Sequence, residues 1–156
     1  MSEVRENLTA LESELESEGV FAYVTSGVSM EPLFRTHRDV VVIARADAPL
    51  RPNDIALYRS KTQGKYILHR IIRVRSDCYV IRGDNTYAPE YVPKDMVIGV
   101  LTEFNRRGKR YTTSHLGYRI YSRFWRLIYP LRWICHALWR LAARVYRFLF
   151  KRNKKR

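Results

Sequence analysis

Ser26-Gly27-Val28-Ser29-Met30-Glu31-Pro32-Leu33 is a short polar-to-apolar crossing, and the runs on either side of it decide how the chain is read. Before it stands Val20-Phe21-Ala22-Tyr23-Val24, apolar and rich in β-branched and aromatic residues. After it, Val40, Val41, Val42 and Ile43 follow one another. Both runs have the composition of buried strands. A serine in a tight connection between two such strands can be held with its hydroxyl exposed. The neighbouring glycine lets backbone N–H groups approach a bound carbonyl. Ser-Gly turns are common, so the weight of this stretch depends on what the rest of the chain supplies.

Two further stretches supply it. Tyr66-Ile67-Leu68-His69-Arg70-Ile71-Ile72-Arg73-Val74 sets a histidine inside a strand-like run, and Arg82-Gly83-Asp84-Asn85 sets a carboxylate after another. Taken in order, Ser29-Met30-Glu31-Pro32, His69-Arg70-Ile71-Ile72 and Gly83-Asp84-Asn85 resemble the signal peptidase superfamily, which includes the self-cleaving SOS repressors. The resemblance covers roughly residues 20 to 101. In that superfamily the base is lysine in bacterial signal peptidases and SOS repressors, and histidine in the endoplasmic-reticulum and archaeal enzymes. His69 stands at that position, so the chain is most similar to the Ser/His branch.

The resemblance implies a serine endopeptidase that removes a leader or signal-like segment. A serine hydroxyl is a weak nucleophile until a base takes its proton. Imidazole, with an ordinary pKa near 6.5, is largely neutral at pH 7 and able to do so. Ser29 is then the nucleophile and His69 the base, with Asp84 as the carboxylate that fixes the imidazole tautomer. Glu90, near the place of a further family aspartate, is the alternative third member. The N–H of Ser29 is the first oxyanion donor. A second donor is in question, because Gly27 holds the place of a serine in many bacterial enzymes and Ser26 is one residue further off. Lys61 and Lys65 stand off the motif position, which speaks against a Ser/Lys dyad. His37, His115 and His136 match no motif. The implied substrate is an extended peptide lying beside a strand, with small side chains before the cleaved bond.

From residue 20 to 104 the pattern is short strands divided by turn residues, and the expected fold class is mostly β, a signal peptidase/SOS-repressor-like domain. Strands are expected over 20–25, 39–44, 54–59, 65–75, 77–82 and 95–102. Asn53-Asp54 and Arg38-Asp39 stand where the family has Gly-Asp. Asparagine tolerates positive φ; arginine does so less readily. Before this domain, residues 1–19 read as a short acidic helix with Leu8, Leu11 and Leu15 as its apolar stripe and Gly19 at its end.

Charge is segregated along the 156 residues, which carry +14 in all. Residues 1–18 carry −5, residues 19–116 carry +7, and residues 117–156 carry +12 with no acidic residue among them. Residues 105–116 read as a basic linker. Beyond it, Arg119, Arg123 and Arg126, then Arg132, His136, Arg140, Arg144, Arg147 and Lys151, recur every three or four residues within each run, interleaved with Trp125, Trp133, Leu138, Trp139, Leu141 and Phe148. That is the pattern of an amphipathic helix bent at Pro130, lying on an anionic membrane surface. The localisation expected is peripheral, on the cytoplasmic face. No run is apolar enough to span, and no cleavable leader is legible at the N-terminus.

Cys78 and Cys135 form no CxxC pair, so neither a disulfide framework nor a zinc site is expected, and no cofactor is. The partners expected are a peptide or protein substrate and the membrane; an unidentified partner subunit stays open and nucleic acid is disfavoured. Two other classes remain at this point. One is a non-catalytic peptide-binding module tethered to membrane. The other is a nucleic-acid-tethered repressor relative, disfavoured because no helix-turn-helix precedes the β domain and the lysine is missing.

Overall fold

The computed structural model describes residues 13–60 and 64–152. Residues 13–18 are helical, and Gly19, at φ 72°, closes the helix by donating its N–H to the Leu15 carbonyl at 3.1 Å. A left-handed glycine just past the last turn satisfies a carbonyl that the helix cannot. Leu15 of the expected stripe is buried against Gly99. Leu8 and Leu11, with the rest of the helix expected over 1–19, fall outside the described residues.

The domain that follows is mostly antiparallel β. Its strands are β1 (Val20–Val24), β2 (Val40–Arg45), β3 (Ile55–Arg59), β4 (Tyr66–Val74), β5 (Cys78–Arg82), β6 (Glu90–Pro93), β7 (Val97–Arg106) and β8 (Lys109–Thr112). They form one sheet in the order β1-β2-β7-β3-β4-β5-β6, with β8 paired to β7. The turn before β3 has Asn53 at φ 84°, as its residue type allows. Before β2 the left-handed residue is His37, at φ 55°, and not Arg38, whose guanidinium instead meets Asp39 at 2.9 Å.

Register places the side chains. Ala56 of β3 lies opposite His69 of β4, and Ile71 lies opposite Ile81 of β5. Opposed residues in an antiparallel pair share a face, and neighbours along a strand alternate. Ala56, Tyr58, His69, Ile71 and Ile81 therefore share one face, over the core of Leu50, Tyr79 and Val92. Ile55, Leu57 and Arg70 take the other, over the core of Phe34, Val41, Leu101 and Phe104.

Two features depart from the expected layout. Glu90–Pro93 forms β6 as an edge strand on β5, where no strand was expected. The basic linker expected over 105–116 is in part a hairpin: β7 continues to Arg106 and returns as β8 through Arg107 and Gly108, at φ 54° and 76°. Two successive left-handed residues match the strand twist of a tight hairpin. Phe104 and Tyr111, paired across it, stack at 5.2 Å.

Two helices follow, α1 (Leu116–Leu127) and α2 (Tyr129–Arg152). The chain divides into two units, Met1–Ser122 and Arg123–Arg156, so the tail expected from residue 117 gives its first turns to the β domain. Tyr118 and Ser122 are buried there, Tyr118 beside Phe104. No helix among the described residues is long and apolar enough to cross a membrane.

Candidate active site

Ser29 sits in the turn between β1 and β2, half-buried, and is fixed from both sides. Met30, Leu33 and Phe34, immediately after it, are buried in the core. On the other side Gly27 takes φ 84°, and its carbonyl accepts from Thr36 Oγ1 at 2.6 Å. The serine thus sits directly before the first of these core anchors, Met30. Ser26, considered as a second oxyanion donor, shares a 2.7 Å hydrogen bond with the Tyr23 hydroxyl.

His69 is 5 % exposed, and its two ring nitrogens have different surroundings. Nδ1 lies 3.0 Å from Glu90 Oε1 and 3.3 Å from the Tyr58 hydroxyl, which itself donates to Glu90 Oε2 at 2.8 Å. A carboxylate only accepts, so the imidazole proton belongs on Nδ1. Nε2 then presents its lone pair, and it is buried without a hydrogen-bond partner. Burial holds the imidazole below its ordinary 6.5, while the charge and hydrogen bond of Glu90, and the charge of Asp84, pull it partly back. Burial, aided by Glu90, pushes the Tyr58 phenol far up, so it remains a donor.

The turn after β5 joins these two halves. A Cβ at Gly83 would lie 3.0 Å from His69 Nε2 and 2.6 Å from the Ser29 carbonyl oxygen. The bare α-carbon is what lets the serine turn and the imidazole approach the same point. Asn85 donates its N–H to the Ser29 carbonyl at 2.7 Å and its side-chain amide to the Val28 carbonyl at 3.2 Å. The three motifs quoted from the sequence therefore converge.

Asp84 takes a different position from the one expected. Both of its oxygens accept from Arg70, Nε to Oδ1 and Nη2 to Oδ2, each at 2.7 Å. The carboxylate bonded to the imidazole is Glu90, so the histidine partner expected at Asp84 is corrected to Glu90. The reason is the face on which each lies: β6 sets Glu90 opposite Ile81, on the side of the sheet that carries His69. Asp84, one residue past Gly83, reaches Arg70. Burial opposes the charge of Arg70, yet Asp84, with a smaller contribution from Tyr118, more than offsets it and the guanidinium pKa is raised.

Of the other residues considered, His37 and His115 are exposed and His136 lies on α2. Lys65 is exposed ahead of β4, and Lys61 lies outside the described residues. Tyr58 was not legible in the sequence, since it belongs to no motif and reaches the site only through the pairing of β3 with β4. Among the described residues no cluster of three or more His, Cys, Asp or Glu side chains could hold a metal ion.

A family model described as Peptidase S24-like matches residues 1–102, the span that contains all three motifs. No curated protein matches the chain.

Proposed function

The chain belongs to the Peptidase S24-like family, and from that premise we propose that it is a serine endopeptidase of signal-peptidase type. It cleaves a leader or signal-like segment from a peptide by a Ser/His mechanism, as the endoplasmic-reticulum and archaeal branch does. The observation that carries this reading is His69 Nε2, a buried and unpartnered acceptor facing Gly83 and the Ser29 turn. Leaving such a group unsatisfied costs about 1–3 kcal/mol, which is expected where the group serves chemistry.

In the proposed reaction Ser29 Oγ bonds to the scissile carbonyl carbon while His69 Nε2 takes the hydroxyl proton. The Ser29 N–H stabilises the oxyanion. The proton passes from His69 to the leaving amine, and the C–N bond breaks to leave an acyl-serine. Water, deprotonated by His69, then releases the peptide acid and restores the hydroxyl. Glu90 holds Nδ1–H and offsets the charge of the imidazolium, and Tyr58 holds Glu90.

The direct test is labelling with a fluorophosphonate. Wild type is expected to be labelled and Ser29→Ala not. Equal labelling of the two, or none of wild type, overturns the proposal and leaves a peptide-binding module. A second test uses pH. Glu90 raises the imidazole pKa, so Glu90→Gln is expected to move the acid limb of labelling to lower pH and to slow the reaction. A limb that stays in place would remove Glu90 from the histidine's electrostatics.

Attachment to an anionic membrane surface is part of the same proposal. At about 100° per residue, Arg132, Arg140, Arg144 and Arg147 fall along one side of α2. Leu131, Ile134, Leu138, Leu141 and Val145 fall along the other and are exposed. Cations toward headgroups and apolar side chains toward acyl chains is the arrangement of an interfacial helix. Anionic lipid is concentrated in the cytoplasmic leaflet, which favours that face. At about 1 kcal/mol per near-surface cation, Arg140, Arg144 and Arg147 changed together to Gln should weaken binding to phosphatidylserine vesicles roughly a hundredfold. Flotation assays measure this. Equal flotation of that variant, or flotation with purely zwitterionic vesicles, argues against an electrostatic anchor.

A further inference from the structure

We infer that Tyr118 and Ser122 of α1 are positioning residues for the Ser29/His69 chemistry, acting through Arg70. The inference rests on the peptidase reading above, and both residues lie beyond the segment that the family model matches. Arg70 is 2 % exposed and stands on the opposite face of β4 from His69, its immediate neighbour. Its guanidinium is held on two sides. Nε and Nη2 are taken by Asp84, while Nη1 donates to Ser122 Oγ at 2.9 Å, the Asn53 carbonyl at 3.1 Å and the Tyr118 hydroxyl at 3.3 Å.

Two members of this cluster, Arg70 and Asp84, adjoin the site. Arg70 is joined to His69 through the backbone of β4. Asp84 is joined to Gly83, which backs Nε2, and to Asn85, which holds the Ser29 carbonyl. Ser122 is 1 % exposed and Tyr118 packs against Phe104, so α1 offers these acceptors from a fixed position. Remove both hydroxyls and Nη1 keeps only the Asn53 carbonyl. A buried charged donor short of acceptors shifts to find others, and the two bonds to Asp84 loosen with it. The turn that backs the imidazole and pins the serine then loses its anchor. Small displacements of reacting groups cost rate more than they cost stability.

The groups that bond His69 are Tyr58 from β3 and Glu90 from β6, while Asp84, in the turn after β5 and paired with Arg70, acts on it through its charge alone. Arg70 compensates Asp84, whose charge raises the imidazole pKa. An Asp84 less tightly paired pulls harder, so the acid limb moves to higher pH. This shift separates positioning from a merely structural role.

The test is fluorophosphonate labelling of the full chain across pH. Tyr118→Phe combined with Ser122→Ala is expected to lower the labelling rate about tenfold and to raise the midpoint of the acid limb. Arg119→Ala, an exposed change on the same helix, leaves both in place. If the double variant does not fold, Tyr118→Phe alone, which keeps its ring against Phe104, carries the same two readouts. A wild-type rate and an unmoved limb overturn the inference, whatever happens to Tm. Absence of labelling in wild type overturns the peptidase reading and this one with it; labelling in wild type with an unchanged double variant overturns this one alone.

Discussion

A His69→Gln variant is expected to react with a fluorophosphonate at Ser29 roughly a thousandfold more slowly than wild type at neutral pH. The alcohol holds its proton at that pH, and among the described residues His69 is the base that the structure brings to the serine turn. Nε2 is the buried acceptor beside the serine turn, and its partner nitrogen is tied to Glu90 and Tyr58. Glutamine keeps a polar side chain of similar reach but has no basic lone pair at neutral pH. The fold should therefore persist while the reaction slows. The measurement is the second-order labelling rate beside a thermal melt. A rate equal to wild type means that the proton leaves by another route, and the Ser/His mechanism then falls.

The second large effect is on stability. Asp84→Ala is expected to lower the free energy of unfolding by about 3–5 kcal/mol, because it strands the Arg70 guanidinium without its counter-ion. The side chains of both partners are 2 % exposed, so water cannot replace what is lost. Against a total of roughly 5–15 kcal/mol for a domain, that is a large share. The shift in the urea midpoint reads it directly. The same variant separates two roles for this carboxylate. A domain that stays stable but no longer labels would return Asp84 to the catalytic set. One that loosens, with the labelling rate of its folded fraction lowered but not abolished, marks it as the anchor of the turn.

The Ser29, His69 and Gly83-Asp84-Asn85 boxes were legible because each is a local arrangement of a few residues, and the structure brings all three to one point. Gly83 shows how far such reading goes. Its place in a motif was visible, but its use, as a bare position between an imidazole and a carbonyl, appears only when β5 ends at Arg82, opposite Arg70, and leaves Gly83 beside His69. Tyr58 shows where it stops. A tyrosine in an apolar strand reads as core, and only its distance to Glu90 gives its hydroxyl a task.

Alternation, turn residues and charge segregation let the sequence by itself determine a mostly β domain and a cationic tail, and family resemblance singled out the serine and histidine boxes, because those signals are confined to one strand, one turn or one helix at a time. Only the tertiary structure decided that Glu90 and not Asp84 meets the imidazole, that β7 and β8 form a hairpin in the expected linker, and that the first turns of α1 close over Arg70. Each of those depends on register, that is, on which residue of one strand faces which residue of another. A shift of one place exchanges the two faces of a strand, and no local stretch encodes its own register.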